Sequence, residues 1–196
     1  MGAMSMWAAR YVRVSDRAKD VPRLQGRIDG GATLHDDGSA AFAVWLVPNH
    51  HYEPDDLSAL SREFGEALCI AVQTVADLVI YDHFVAGARM RGLTFAGEAG
   101  WIRVAGEAEP WEAKALFSAV KLAELTDELE EDFDGDELAR QKAELEKLWL
   151  AGRLVEGQAR PPVDPAGFTR AIERHFALPA RPAGAPGPTS QTTRTR

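Results

Sequence analysis

The sequence predicts an α+β fold: an antiparallel sheet of about five or six strands with a helix packed across it, followed by a helical C-terminal region. Three observations lead there. Strand-type segments with a single intervening helix come first, and helix-type segments follow. Turn glycines at 38, 87, 97 and 100 separate short runs of alternating or β-favouring residues. A chain of 196 residues that is 45% hydrophobic can also bury a full-sized core without disulfides or metals.

In chain order, Ala8 to Val14 alternates like a half-buried strand and opens the sheet. Ser15 to Gln25 lacks a sustained apolar period and reads as a loop with at most a short turn of helix. Residues 32–35 and 39–47 flank Asp36-Asp-Gly38 and form a hairpin in which Gly38 supplies the positive φ of a tight turn. Both faces of 41–47 are apolar, so that strand belongs in the interior. Pro54, with Asp55 and Asp56 behind it, starts a helix whose stripe is Leu57, Leu60, Phe64 and Leu68. Strands follow over 70–75, 78–85, 89–95 and 101–104. Pro110 opens a helix with Ala113, Leu116, Phe117 and Val120 on one side. The acidic block of 127–137 interrupts the helical pattern, which resumes through Leu138, Leu145, Leu148 and Trp149 and fades at Gly152. Asp164-Pro165 reads as the N-cap and first residue of a last helix. The organisation expected is a sheet domain over 5–120, a helical extension over 121–178 and a disordered tail over 179–196, which has no large apolar residue to bury.

Composition excludes several classes of function. A net charge of −8 argues against nucleic acid as a partner, since phosphate binding depends on Lys and Arg. No apolar run reaches membrane-spanning length and no signal peptide is visible, so no membrane role is expected and the protein is placed in the cytoplasm. Met1-Gly-Ala-Met4 resembles an expression remnant and is set aside. The lone Cys69 lies in an apolar run and behaves as a small buried hydrophobe. Phosphate-loop, dinucleotide and nucleophile-elbow patterns are missing, and no cofactor is expected.

The densest motif runs from Met90-Arg91 through Leu93, Gly97 and Trp101 to Gly106-Glu107, Glu109-Pro110-Trp111-Glu112. Gly106 permits a sharp exit from a strand, Pro110 starts a helix, Glu112 faces its dipole, and Trp111 plugs the core edge. With this ending, the segment from about Leu57 to Glu112 resembles a recurring type of uncharacterised bacterial α+β protein. That resemblance implies the helix-then-meander fold and carries no assigned activity.

Three constellations can carry chemistry. His50 and His51, with Asp82 and His83 from a later strand, form the candidate ligand set for a transition metal. Glu130, Asp132, Asp134, Gly135 and Gln141 fall on a calcium-loop template with Glu first and Gln last, so a solvated acidic linker is the better reading. Glu107 and Glu109 are a carboxylate pair at a strand exit, most simply solvated. The leading expectation is a non-enzymatic, cytoplasmic protein-binding or adaptor protein. Its partner is another protein or a second copy of the chain, met through Leu145, Trp149, Asp132 and Asp134. The alternatives are a metal-dependent hydrolase using His50, His51, Asp82 and His83, and an acidic toxin-neutralising immunity protein.

Overall fold

Alternation along the strands sorts the apolar side chains into two cores, one on each side of a single sheet. The computed structural model describes residues 6–27, 33–36, 38–48, 54–73, 77–157 and 164–179. Strands β1 (Met6–Arg13), β2 (Thr33–His35), β3 (Phe42–Pro48), β4 (Glu66–Gln73), β5 (Leu78–Val85), β6 (Ala88–Ala96) and β7 (Gly100–Gly106) form one sheet in the order β2-β3-β1-β4-β5-β6-β7. All its pairings are antiparallel. From β4 onward it is a meander. The chain crosses from β3 to β4 through α2 (Pro54–Phe64), leaving β1 between them.

One face collects Tyr11, Phe42, Val44, Leu68, Ile70, Tyr81, Leu93 and Trp101 under α3 (Pro110–Leu116) and α6 (Pro165–His175), which add Trp111, Leu116, Phe168 and Ile172. The opposite face collects Val12, Ala43, Trp45, Cys69 and Phe84 under α1 (Arg17–Gln25) and α2, which add Leu24, Leu57, Leu60 and Phe64. Helices α4 (Ala119–Asp132) and α5 (Gly135–Ala151) form a hairpin with its own small core of Leu125, Leu129 and Leu145. No helix among the described residues is long and apolar enough to cross a membrane.

The α+β class and the antiparallel sheet are as expected, with seven strands in place of five or six. Residues 17–25 are helical, contrary to the expected loop. The Asp20 carboxylate accepts the backbone N–H groups of Ser15 and Asp16, and Leu24 is buried on the sheet, which together outweigh Pro22 inside the helix. Leu68 belongs to β4, because Gly65 takes a left-handed conformation (φ 91°) and ends α2 three residues earlier. The helix begun at Pro110 also breaks, at Phe117. The Ser118 hydroxyl then accepts the Lys121 N–H and starts α4, which leaves Val120 on the outside. The acidic block continues the helix up to Asp132. Residues 121–178 are not one body apart from the sheet, since Phe168 and Ile172 of α6 complete the main core. Nearly all of the expected disordered tail, from residue 180, lies outside the described residues.

Candidate binding groove

Strand β5 is the divide on which the polar chemistry is built. Its alternation sends Tyr81 and His83 to the α3–α6 face and Asp82 to the α1–α2 face. In the cross-strand register His83 lies between Leu68 of β4 and Arg91 of β6. Glu66, two residues before Leu68, shares its face. Its Oε1 lies 3.0 Å from His83 Nε2, and its Oε2 accepts the Arg13 Nε–H at 2.5 Å. From above, Glu109 at the N-cap of α3 brings Oε1 to 2.5 Å from His83 Nδ1, while its Oε2 accepts the Tyr81 hydroxyl at 2.6 Å and the Trp111 indole N–H at 2.7 Å. Phe176 covers the imidazole edge-on at 5.0 Å.

Both ring nitrogens of His83 thus face carboxylates, an arrangement that suits an imidazolium donating in both directions. Burial alone lowers the pKa of the ring. The hydrogen bonds and charges of Glu109 and Glu66 overcome that effect and raise it from 6.5 to about 9. Glu66 is held below the usual carboxylate range chiefly by its His83 bond, against some desolvation. For Glu109 desolvation is the largest single influence and pushes upward, but the donors His83, Tyr81 and Trp111 together bring it below that range. Burial and the neighbouring Glu109 push the Tyr81 hydroxyl well above 10.

Next to this network, Arg91 and Glu112 make a two-pronged ion pair at 2.7 and 2.6 Å, the side chains only 2% and 1% exposed. The remaining Arg91 nitrogen donates to the carbonyls of Gly106 (2.7 Å) and Ala105 (3.3 Å), and Glu112 Oε1 accepts the Glu109 N–H at 2.8 Å. Strand exit, helix start and sheet are therefore tied through one guanidinium. Gly106 sits at φ 79° with the Met90 carbonyl where a side chain would begin, so no other residue fits without backbone movement.

Fixing α3 in this way opens a groove between it and α6. The groove has a volume of about 640 Å³ and a floor of Trp111, Phe168, Ala115 and Ala171. Its rim carries Lys114, Lys121, Arg174 and His175 against one acid, Asp164. Asp164 is already engaged, since it accepts the Ala166 and Gly167 N–H groups at 3.0 and 2.9 Å and caps α6. Lys121 pairs with Glu124 at 3.3 Å, whereas Lys114 and Arg174 are exposed and make no ion pair among the described residues. On an acidic chain this is a cationic concavity with an aromatic floor, of a size that takes a short peptide segment or a small ligand.

The opposite face holds a second ionic group. Asp82 is fully buried between Arg89 (3.0 Å) and Arg103 (2.6 Å), and Gly92 beside it leaves room for that pair. Cys69 lies next to Asp82 in the register, and burial pushes its thiol up to about 12, far from a reactive thiolate.

Of the expected metal ligands, His50 and His51 lie outside the described residues. Asp82 and His83 are neighbours in β5 and point to opposite faces, each already held by ionic partners, so the sheet does not bring them together. Among the described residues no group of three or more His, Cys, Asp and Glu side chains is placed to hold a metal ion. The calcium-template residues fall in a helical hairpin. Glu130 pairs with Lys142 at 2.5 Å and Gln141 bonds Glu137 within α5, which leaves only Phe133 and Asp134 between the helices. Leu145 is buried between α4 and α5. Trp149 is half-buried and fastens the hairpin base, with its indole N–H on the Ser118 carbonyl at 3.0 Å and its ring edge-on to Phe117. Asp132 and Asp134 are exposed at the hairpin tip.

The sequence reading singles out His83 for a different partnership and treats Glu109 as solvated, when Glu109 is the hub of the network. Glu66, Lys114 and Arg174 escape it altogether. The available signal was a charged residue placed at alternate positions among buried ones, as Glu66 stands before Leu68 and Ile70. No protein-family model, curated protein or solved structure matches the chain.

Proposed function

We propose that this chain is a non-enzymatic protein-binding or adaptor protein of the cytoplasm, and that its partner seats in the groove between α3 and α6. The observation that carries this reading is the pairing of Lys114 and Arg174, exposed cations without an ion pair among the described residues, with a groove lined at its base by the largely buried rings of Trp111 and Phe168. Interfaces concentrate their binding energy in aromatic anchors, and charge at the rim selects the partner. The side chains capable of acid–base or nucleophilic work support the same reading. His83, Glu66, Glu109 and Tyr81 are bonded to one another, and Cys69 is sealed. On this reading the 90–112 motif is the bracket that holds α3 at the groove. A hydrolase built on Asp82 and His83 finds no support in their placement on opposite faces.

The test is site-specific photocrosslinking of the full chain in the cells that make it, with benzoylphenylalanine in place of Lys114 and, as a control outside the groove, in place of the exposed Ala113. The expected result is one protein adduct of defined mass from position 114, absent from position 113 and lost when Arg174→Glu is added. No adduct, or one indifferent to Arg174→Glu, overturns the assignment.

A further inference from the structure

The charge of this chain is not spread over it. Between Ala119 and Ala151 the α4–α5 hairpin carries eleven acidic and four basic residues, a net of −7 out of −8 for the whole chain. Seven of those acids crowd the tip between Glu128 and Glu137. The opposite end of the hairpin is its root on the body of the protein, where Trp149 is bonded to Ser118, and there the cationic rim of the groove begins with Lys121 and Lys114. The acidic tip thus forms one end of the hairpin, and the cationic rim of the groove, carried by Lys114 of α3, Arg174 of α6 and Lys121, begins at the other.

The root is apolar as well. Val120 at the start of α4 is 70% exposed and Leu150 at the end of α5 is 89% exposed, and the antiparallel hairpin puts these two positions at the same end. Two large aliphatic side chains left in water at the same end of the hairpin offer apolar surface to a partner seated there.

We infer that the occupant of this root and groove is the acidic hairpin tip of a second copy, in a reciprocal dimer with the two hairpins side by side and antiparallel. This rests on the assignment of the groove as the recognition site. The geometry permits it: α4 has 14 residues, so tip and root are about 20 Å apart. That separation is the same in both copies, so one two-fold axis seats both tips on both roots at once, and the contact closes without leaving an end to propagate. Such a pairing sets Glu131 and Asp132 against Lys114, Lys121 and Arg174. It also brings the exposed part of Phe133, whose ring packs on the hairpin's own core, toward Val120 and Leu150 of the other copy. The chain's own C-terminal residues are an unsuitable occupant. Residues 180–196 carry Arg181, Arg194 and Arg196 and no acid, so the basic rim repels them.

Sedimentation equilibrium of the full chain tests this, with two charge-reversed variants at exposed positions: Lys114→Glu with Arg174→Glu in the groove, and Glu131→Lys with Asp132→Lys at the tip. The wild type is expected to be a dimer whose dissociation constant rises about tenfold or more between about 0.05 M and 0.5 M salt, because its contacts are ionic and near the surface. Each variant alone is expected to be monomeric where the wild type is dimeric. An equimolar mixture of the two variants should regain the dimer as a heterodimer, since each reversed groove then meets a reversed tip. Leu150→Glu, at a position that makes no demand on folding, should also give monomers. A wild type that stays monomeric at about 100 μM in low salt, variants that dimerise normally, or a mixture that fails to re-associate each overturns the dimer. The crosslinking experiment separates this failure from that of the groove itself. An adduct to a different protein together with a monomeric chain retains the groove and removes the self-pairing, and the absence of any adduct removes both.

Discussion

Raising the pH from 6 to 8.5 should loosen this protein by about 2 kcal/mol through His83 alone. In the unfolded chain the imidazole titrates near 6.5, and in the folded one near 9. Below 6.5 both states hold the proton and the full contribution of the ion cluster, about 3 kcal/mol, is present. As the pH climbs through the interval to 9, the unfolded state gives up its proton first and the contribution is lost. By pH 8.5 most of it is gone, which leaves the difference of about 2 kcal/mol. Glu66 and Glu109 act in the opposite sense. Held below the usual 4.5, they contribute above that value and lose their contribution as the pH falls through their folded values. The cluster is therefore at its strongest between roughly pH 5 and 6.5. Urea unfolding followed by far-ultraviolet circular dichroism at pH 6 and 8.5 measures the difference; Cys69, whose thiol begins to ionise in the unfolded chain below 9, adds only a few tenths of a kcal/mol in the same sense, which the His83→Gln protein retains. In His83→Gln the stability at pH 6 should fall and the dependence on pH across this interval should disappear apart from that small thiol contribution. Equal wild-type stability at the two pH values, or a His83→Gln protein that keeps the wild-type slope, would refute the assignment of an imidazolium between two carboxylates.

Two further substitutions probe the bracket that positions α3. Removing either partner of the buried Arg91–Glu112 pair leaves a charge without its counterpart, so Arg91→Met or Glu112→Met alone should destabilise by about 3–5 kcal/mol. The double replacement should cost clearly less than the sum, which a double-mutant cycle in urea measures. Gly106→Ala combines a left-handed backbone with a collision against the Met90 carbonyl and should destabilise by about 2 kcal/mol or more, read as a drop in thermal midpoint. An alanine there with no effect would mean that the strand exit relaxes freely.

How far the sequence predicts this structure depends on whether a residue's role is set by its neighbours along the chain or by those across the sheet. Asp164-Pro165 and Pro110 start their helices where expected, because capping and proline chemistry act within one turn. Gly87 turns its hairpin for the same local reason, with Val85 opposite Ala88, whereas the tight turn expected at Gly38 is a longer connection, since His35 pairs with Val44 and β3 begins only at Phe42. Residues 17–25 defeat that approach. Their helix depends on Leu24, with Val21 beside it, reaching a core whose other members come from distant strands and from α2, and Pro22 and the charged residues break up that short apolar pattern. The candidate site is harder still. Glu66 and Glu109 meet at His83 only because the register sets β4 beside β5 and α3 folds back over both. Nothing in either carboxylate's local sequence announces the other. The Arg91 to Glu112 motif is the intermediate case: its residues are visible as a set, but the guanidinium that joins them is recognised only once β6 and β7 are paired.

That distinction also decides which charged residues bear on function. The charged and polar side chains that draw attention in the sequence, His83, Asp82, Glu109 and Glu112, are turned inward and each held by ionic partners: His83 and Glu109 by one another, Asp82 by Arg89 and Arg103, and Glu112 by Arg91. Their replacement should therefore report on folding before anything else. Lys114 and Arg174 look ordinary in the sequence, each on a short helix near other charges, yet they stand exposed beside an aromatic floor with no ion pair among the described residues. An exposed cation contributes little to stability, since water solvates it in both states. At concentrations where the wild type is monomeric, replacing these two should leave the unfolding transition nearly unchanged, while altering association at higher concentrations. A loss of association without loss of stability at Lys114 and Arg174, beside the reverse pattern at Arg91 and Glu112, would separate the surface that recognises from the scaffold that holds it.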